Sequence, residues 1–204
     1  MRIFAPARFL DQSTQPHIAT LIALASISAL AMNIFLPSLP SMAAYYNTTP
    51  SIMSLSVAIY LGASALLQLF SGPISDRIGR RPVILISLIL FIIASLATIW
   101  APNAETFLAL RFVQAFAATT MVLSRAVVRD TVGKDAAASK IAYVTMGMAV
   151  APMIGPGIGG YLDKYFGWQA IFVLLAGLGI CIFILTWFDL GETNTKKSET
   201  LYKQ

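Results

Sequence analysis

The chain has 204 residues, 57% of them hydrophobic and 11% charged, with a mean hydropathy of +0.76. A globular domain carries about a quarter charged residues, so water is excluded as the main solvent. The net charge of +5 raises the question of nucleic acid. However, the basic residues are scattered singly among apolar runs, whereas phosphate neutralisation needs them clustered on one face, so no nucleic-acid partner is expected.

Residues 1–17 contain Arg2 and Arg8 with only fragments of apolar sequence. The run that follows is too long for a signal-peptide core, and no small-residue cleavage site stands out, so an uncleaved cytoplasmic segment is expected. Crossing a hydrocarbon core takes roughly 20 apolar residues in helical form. Six stretches meet that requirement, at about 18–40, 51–72, 82–101, 106–128, 141–162 and 169–189. The expectation is an all-α membrane protein, its bundle covering 18–189 and a cytoplasmic tail covering 190–204. Short punctuators such as Asn47-Thr48-Thr49-Pro50 and Pro102-Asn103 make successive spans antiparallel neighbours.

Lys and Arg set the orientation. Arg2 and Arg8, then Arg77, Arg80 and Arg81, then Arg129, Lys134 and Lys140, and finally Lys196, Lys197 and Lys203 all fall on one side. The opposite loops hold only Lys164, so the positive-inside rule puts both termini in the cytoplasm. Trp100, Trp168, Tyr45 and Tyr46 fall near the outer ends, where amphipathic rings favour the headgroup region. The single cysteine, Cys181, reads as a small apolar packing residue, and His17 as an interfacial one. No metal-ligand spacing occurs and no cofactor is expected.

The loop after the second span reads SGPISDRIGRRP, from Ser71 to Pro82. Gly72 permits close approach of another helix, Asp76 is suited to accept from a helix N-terminus, and Arg80 stands one turn beyond Asp76. Gly79 and Pro82 turn the chain into the third span. In the fourth span, Arg111 is followed by Gln114 and Ala118. A central arginine costs at least ~2.5 kcal/mol on insertion scales, so it either pairs inside the bundle or snorkels to the outer interface. In the fifth span, Gly147, Ala151, Gly155 and Gly159 recur every four residues, a groove for a partner helix, while Pro152 and Pro156 favour a kink. Pro37 and Pro40 interrupt the first span near its outer end.

Together these strings resemble the major facilitator superfamily. The Gly72 to Arg81 string, with Asp76, Arg77, Gly79, Arg80 and Arg81, is similar to its signature gating loop, and the resemblance implies a charge relay completed by Asp130. ALRFVQAFAA resembles the fourth-helix motif of drug–proton antiporters, implying that Arg111 links protonation to substrate movement. GMAVAPMIGPGIGG, centred on Gly155, Pro156, Gly159 and Gly160, looks like the antiporter motif of exporters. NIFLPSLP and RAVVRD resemble the bicyclomycin and chloramphenicol resistance subfamily. That subfamily often has an acid where this chain has Asn33, which releases no proton at physiological pH. Asp76, Asp130, Asp163, Asp189 and Glu105 all lie at span ends, so no other carboxylate replaces it.

Ser64 and Gln68 on the second span face either a central cavity or a neighbouring helix, and Phe35, Tyr60 and Phe116 serve either to stack on substrate or to pack the core. Gly72-Pro73 with Asp76-Arg77 and Gly155-Pro156 with Asp163-Lys164 suggest two inverted three-helix repeats. Six spans are half the family's unit, and the polar tail resembles the start of its central loop. The resemblance implies a multidrug exporter in the cell inner membrane, exchanging protons for small amphiphilic drug-like molecules. A second six-helix half or self-association would complete it. A non-transporting or partner-dependent membrane fragment and an exporter of metabolites are the alternatives. No enzyme is expected, because no paired carboxylates sit at a membrane face.

Overall fold

The computed structural model describes residues 9–194, apart from the side chains of Lys134 and Asp135. The basic residues Arg2, Arg8, Lys196, Lys197 and Lys203 that contribute to the orientation lie outside it. α1 (Ile18–Asn33), a 3-10 turn (Leu36–Ser38) and α2 (Leu39–Tyr45) make the first span. α3 (Pro50–Ile78) and α4 (Arg80–Ile99) are the second and third. α5 (Ala104–Gln114) and α6 (Ala117–Thr131) make the fourth, α7 (Lys134–Phe166) the fifth and α8 (Gln169–Asp189) the sixth. Each span contains an 18-residue window with mean hydropathy between 1.5 and 2.7. The protein is therefore an all-α, multi-pass membrane protein.

Local chemistry explains the helix ends. The Asn103 side chain accepts the Thr106 N–H at 2.8 Å, and Thr49 caps α3, whose first residue is Pro50. His17 caps α1 by accepting the Ala19 N–H at 3.3 Å. α3 and α7 both stop at a glycine in the left-handed region, Gly79 at φ 118° and Gly167 at φ 82°. Each glycine N–H returns to a carbonyl four residues back, on Ser75 and Asp163, at 3.0 Å. The second span of each expected repeat thus ends by the same device. Each first span is also broken, at residues 34–38 and at 115–116. Packing follows the same symmetry: α1 lies along α7, as the fourth span lies along α3, and α4 lies along α8.

Two expectations of local form change. α3 and α7 run beyond the apolar windows at 51–72 and 141–162, because the helices continue through their polar flanks. The fourth span divides at Ala115-Phe116, where N–H groups bond three residues back, without a proline or glycine to mark the place. Conversely, α7 is continuous through Pro152 and Pro156.

At the end of the bundle holding the α2–α3 connection, Trp168 is 3% exposed and packs against Tyr45, Tyr46, Phe107 and Phe172, with ring centroids 5.3–6.2 Å apart. Trp168 is core rather than a headgroup anchor, whereas Trp100, 74% exposed, suits that role. Burial, and next the neighbouring Tyr45, pushes the Tyr46 phenol up to about 12. It stays neutral and donates to the Ala101 carbonyl at 3.3 Å. Cys181 is exposed on α8, not packed inside.

Candidate functional site

Among the described residues, one arginine is fully buried in the bundle interior. Arg111 is 0% exposed, which overturns the interface reading. Its Nη1 donates to the Gln114 Oε1 at 2.7 Å and to the Ala31 carbonyl of α1 at 3.3 Å. Gln114 is held in turn by donating from Nε2 to Ser95 Oγ of α4 at 3.1 Å. The guanidinium carbon lies 4.1 Å from the Phe35 ring centroid and 4.7 Å from that of Tyr60. Tyr60 is itself fixed, its hydroxyl 3.1 Å from both the carbonyl and the Oγ of Ser28. Phe35 and Tyr60 are thus buried rings around a cation. Arg111 Nε and Nη2 have no hydrogen-bond partner among the described residues.

No described carboxylate pairs with Arg111; the two ion pairs among the described residues both belong to Arg80. Cation–π contacts are worth up to about 2 kcal/mol each when desolvated. Two of them match the ~2.5–3.5 kcal/mol insertion penalty of a central charge, so rings and amide dipoles suffice to hold it. Asn33 ends α1, half-buried, with its Nδ2 donating to the Ala29 carbonyl at 2.7 Å. Ser64 is buried with its hydroxyl unpartnered, and Gln68 is half-buried beside it on α3.

The α3–α4 turn forms a second cluster. Arg80 pairs with Asp76 at 2.7 Å and with Asp130 of α6 at 3.0 Å, and it also donates to Ser75 Oγ. These are the three expected members of the relay. Among the described residues, Asp76 accepts from no helix N-terminus. That role falls to Glu192, which follows α8: its carboxylate accepts the Arg80 N–H at 2.9 Å and the Arg81 N–H at 3.3 Å. Asn194 adds a hydrogen bond to the Asp76 carbonyl at 2.7 Å. Arg81 reaches the Trp187 carbonyl at 3.1 Å and lies over the Trp187 ring at 5.1 Å. Arg77 is exposed and joins no ion pair with a described residue.

Three residues earlier, the fully buried Asp189 accepts from the Leu10 N–H at 3.0 Å, the His17 N–H at 2.8 Å and the Thr20 hydroxyl at 2.6 Å. The end of α8 therefore holds the first turns of both α1 and α4, satisfying amides that no intrahelical partner can reach. Sequence reading treats Asp189 as a span end and Glu192 as tail. The usable signal is a carboxylate pair at i, i+3 just past an apolar run.

The small-residue stripe of α7 faces α1. A side chain at Gly147 would strike Ile22, one at Gly159 would strike the Ile34 carbonyl, and one at Gly155 would sit 3.2 Å from Leu30 Cδ1. Ala151 is buried on the same face, and Gly160 lies beside Pro37, 3.6 Å from a Cβ built there. Pro156 is half-buried on the neighbouring edge. Beyond the stripe, Ser41 Oγ donates to Asp163 at 2.7 Å, joining α2 to α7.

Comparison with known proteins agrees with this architecture. The family model of the Major Facilitator Superfamily matches residues 21–201. The Bicyclomycin resistance protein homolog of Haemophilus influenzae is 33% identical over 189 residues, 92% of this chain and 48% of that protein. The Chloramphenicol resistance protein of Pseudomonas aeruginosa is 37% identical over 176 residues, 84% of this chain and 41% of that protein. The crystal structure of the human organic anion transporter MFSD10 (TETRAN) matches with a TM-score of 0.70 at 19% identity, over 86% of this chain and 47% of that one, a likeness of fold. The chain spans about half the length of the curated relatives it matches. On the match to its family model, the chain belongs to the Major Facilitator Superfamily.

Proposed function

We propose that this chain is the amino-terminal half of a multidrug exporter of the cell inner membrane, with both termini cytoplasmic, that exchanges small amphiphilic substrates for protons. A second six-helix half or a second copy supplies the facing wall of the pathway. The observation that carries the reading is Arg111, a buried cation held by Phe35, Tyr60 and Gln114 without a carboxylate. A charge kept at such cost in a membrane interior is a functional site by default.

In this reading Arg111 responds to a proton or substrate arriving nearby, and Gln114, Asn33 and Gln68 line its approach. The Asp76–Arg80–Asp130 cluster, with Gly72, Gly79 and Arg81, holds the cytoplasmic end closed. Gly147, Ala151, Gly155, Pro156, Gly159 and Gly160 set how α7 moves against α1. The similarity to proteins named for bicyclomycin and chloramphenicol resistance supports export of drug-like molecules.

The test is vesicles containing the purified chain, alone and together with a second six-helix half, an imposed pH gradient and a fluorescent cationic dye. Gradient-driven movement abolished by Arg111→Ala is expected. A folded preparation that moves no dye in either arrangement overturns export by this chain.

A further inference from the structure

We propose that the groove between α3 and α4 binds one anionic phospholipid, its acyl chain along the groove and its phosphate on Arg77. The groove has a volume of about 170 Å³ and is lined by Leu67, Phe70 and Ile74 of α3 and by Val83 and Ile86 of α4, with Phe116 as its floor. It is open to the surroundings, Phe70 being 61% exposed.

Its length and its charged end suggest the occupant. From Leu67 to Ile78, the last α3 residue on the lining, is about 16 Å at 1.5 Å per residue. One leaflet contributes about 15 Å of a ~30 Å hydrocarbon core. The groove is therefore about as long as one leaflet's hydrocarbon layer is thick. Arg77 stands seven residues after Phe70, about 20° away round the helix, at the turn end of the groove.

Arg77 is also available. Arg80 is committed to Asp76 and Asp130, and Arg81 to Trp187, whereas Arg77 has no ion pair or hydrogen bond from its side chain to a described residue. A guanidinium matches a phosphate diester with paired donors. Gly72 and Asp76 lie at least about 120° round α3 from Phe70. A second bundle docking on that small-residue flank leaves the groove facing lipid.

Native mass spectrometry of the purified chain tests this, using phosphatidylglycerol and phosphatidylcholine with identical acyl chains. One retained phosphatidylglycerol is expected, with a preference over phosphatidylcholine that falls about five-fold in Arg77→Gln, the worth of one basic residue at a membrane surface. Arg129→Gln, exposed at the same end but off the groove, keeps the preference. Val83→Phe, which fills the groove, lowers retention of both lipids. The proposal is overturned if Arg77→Gln leaves the preference intact, if Arg129→Gln lowers it equally, or if wild-type chains appear as lipid-free dimers, with a second copy covering the groove.

Discussion

Arg80 and Arg111 show two ways of keeping a cation at a helix bundle. Arg80, at the α3–α4 turn, has two carboxylates within 3.0 Å, one of them on a residue whose side chain is 61% exposed. Arg111 has none and is held by two ring faces, a glutamine and a carbonyl. The first arrangement is replaceable in part, at Asp76, since an exposed ion pair is worth about 0–1 kcal/mol. The second is not, because its parts share one buried charge. The two networks therefore differ in kind: the turn network joins the ends of α3, α4 and α6 through carboxylates, whereas the interior network offsets one buried charge with ring faces and dipoles.

The largest expected effect follows from replacing Arg111. Replacing Arg111 by methionine removes the insertion penalty of the charge together with the cation–π contacts that match it, so the two losses offset. Arg111→Met is expected to keep or raise the thermal midpoint in detergent while abolishing gradient-driven dye movement. A variant that loses both together would make Arg111 a structural residue and erase its contrast with Arg80.

Next come the glycines, which divide along the same line. At Gly159 an added methyl meets the Ile34 carbonyl, and backbone yields little, so Gly159→Ala is expected to cost about 1–3 kcal/mol in urea or thermal unfolding. At Gly72 a methyl meets nothing within 4 Å. Gly72→Ala is expected to leave the midpoint unchanged or raise it, since Ala favours helix by about 0.5–1 kcal/mol. If the same variant also stops dye movement, Gly72 acts against a surface that the six spans do not supply.

How far the sequence anticipates these features depends on whether the cause is local. Span number, the 3-10 break at Pro37, the left-handed Gly79 and the spacing of Asp76 and Arg80 are written in composition, in proline and glycine, and in helical period. The α5–α6 break is not, since Ala115-Phe116 bears no helix breaker. Nor is the burial of Trp168, which four converging rings decide. The cage of Arg111 brings residues 31, 35, 60 and 95 to Arg111 and Gln114, contacts that no spacing within one span encodes. The capping role of Glu192 joins positions more than a hundred residues apart. The fourth-span motif singles out Arg111; only packing reveals what surrounds it.

The smallest expected effects lie in the turn cluster, and their order is informative. Glu192 satisfies two amides at the start of α4, so Glu192→Gln is expected to cost about 0.5–1 kcal/mol, the lower part of the range for a lost cap on an exposed site. It should also speed hydrogen exchange at Arg80 and Arg81. Asp76→Asn removes one exposed partner while Asp130 stays 3.0 Å from Arg80, so about 0–0.5 kcal/mol is expected. Finding Asp76→Asn the more damaging of the two to folding would mean that the relay, rather than the cap, holds α3 to α4.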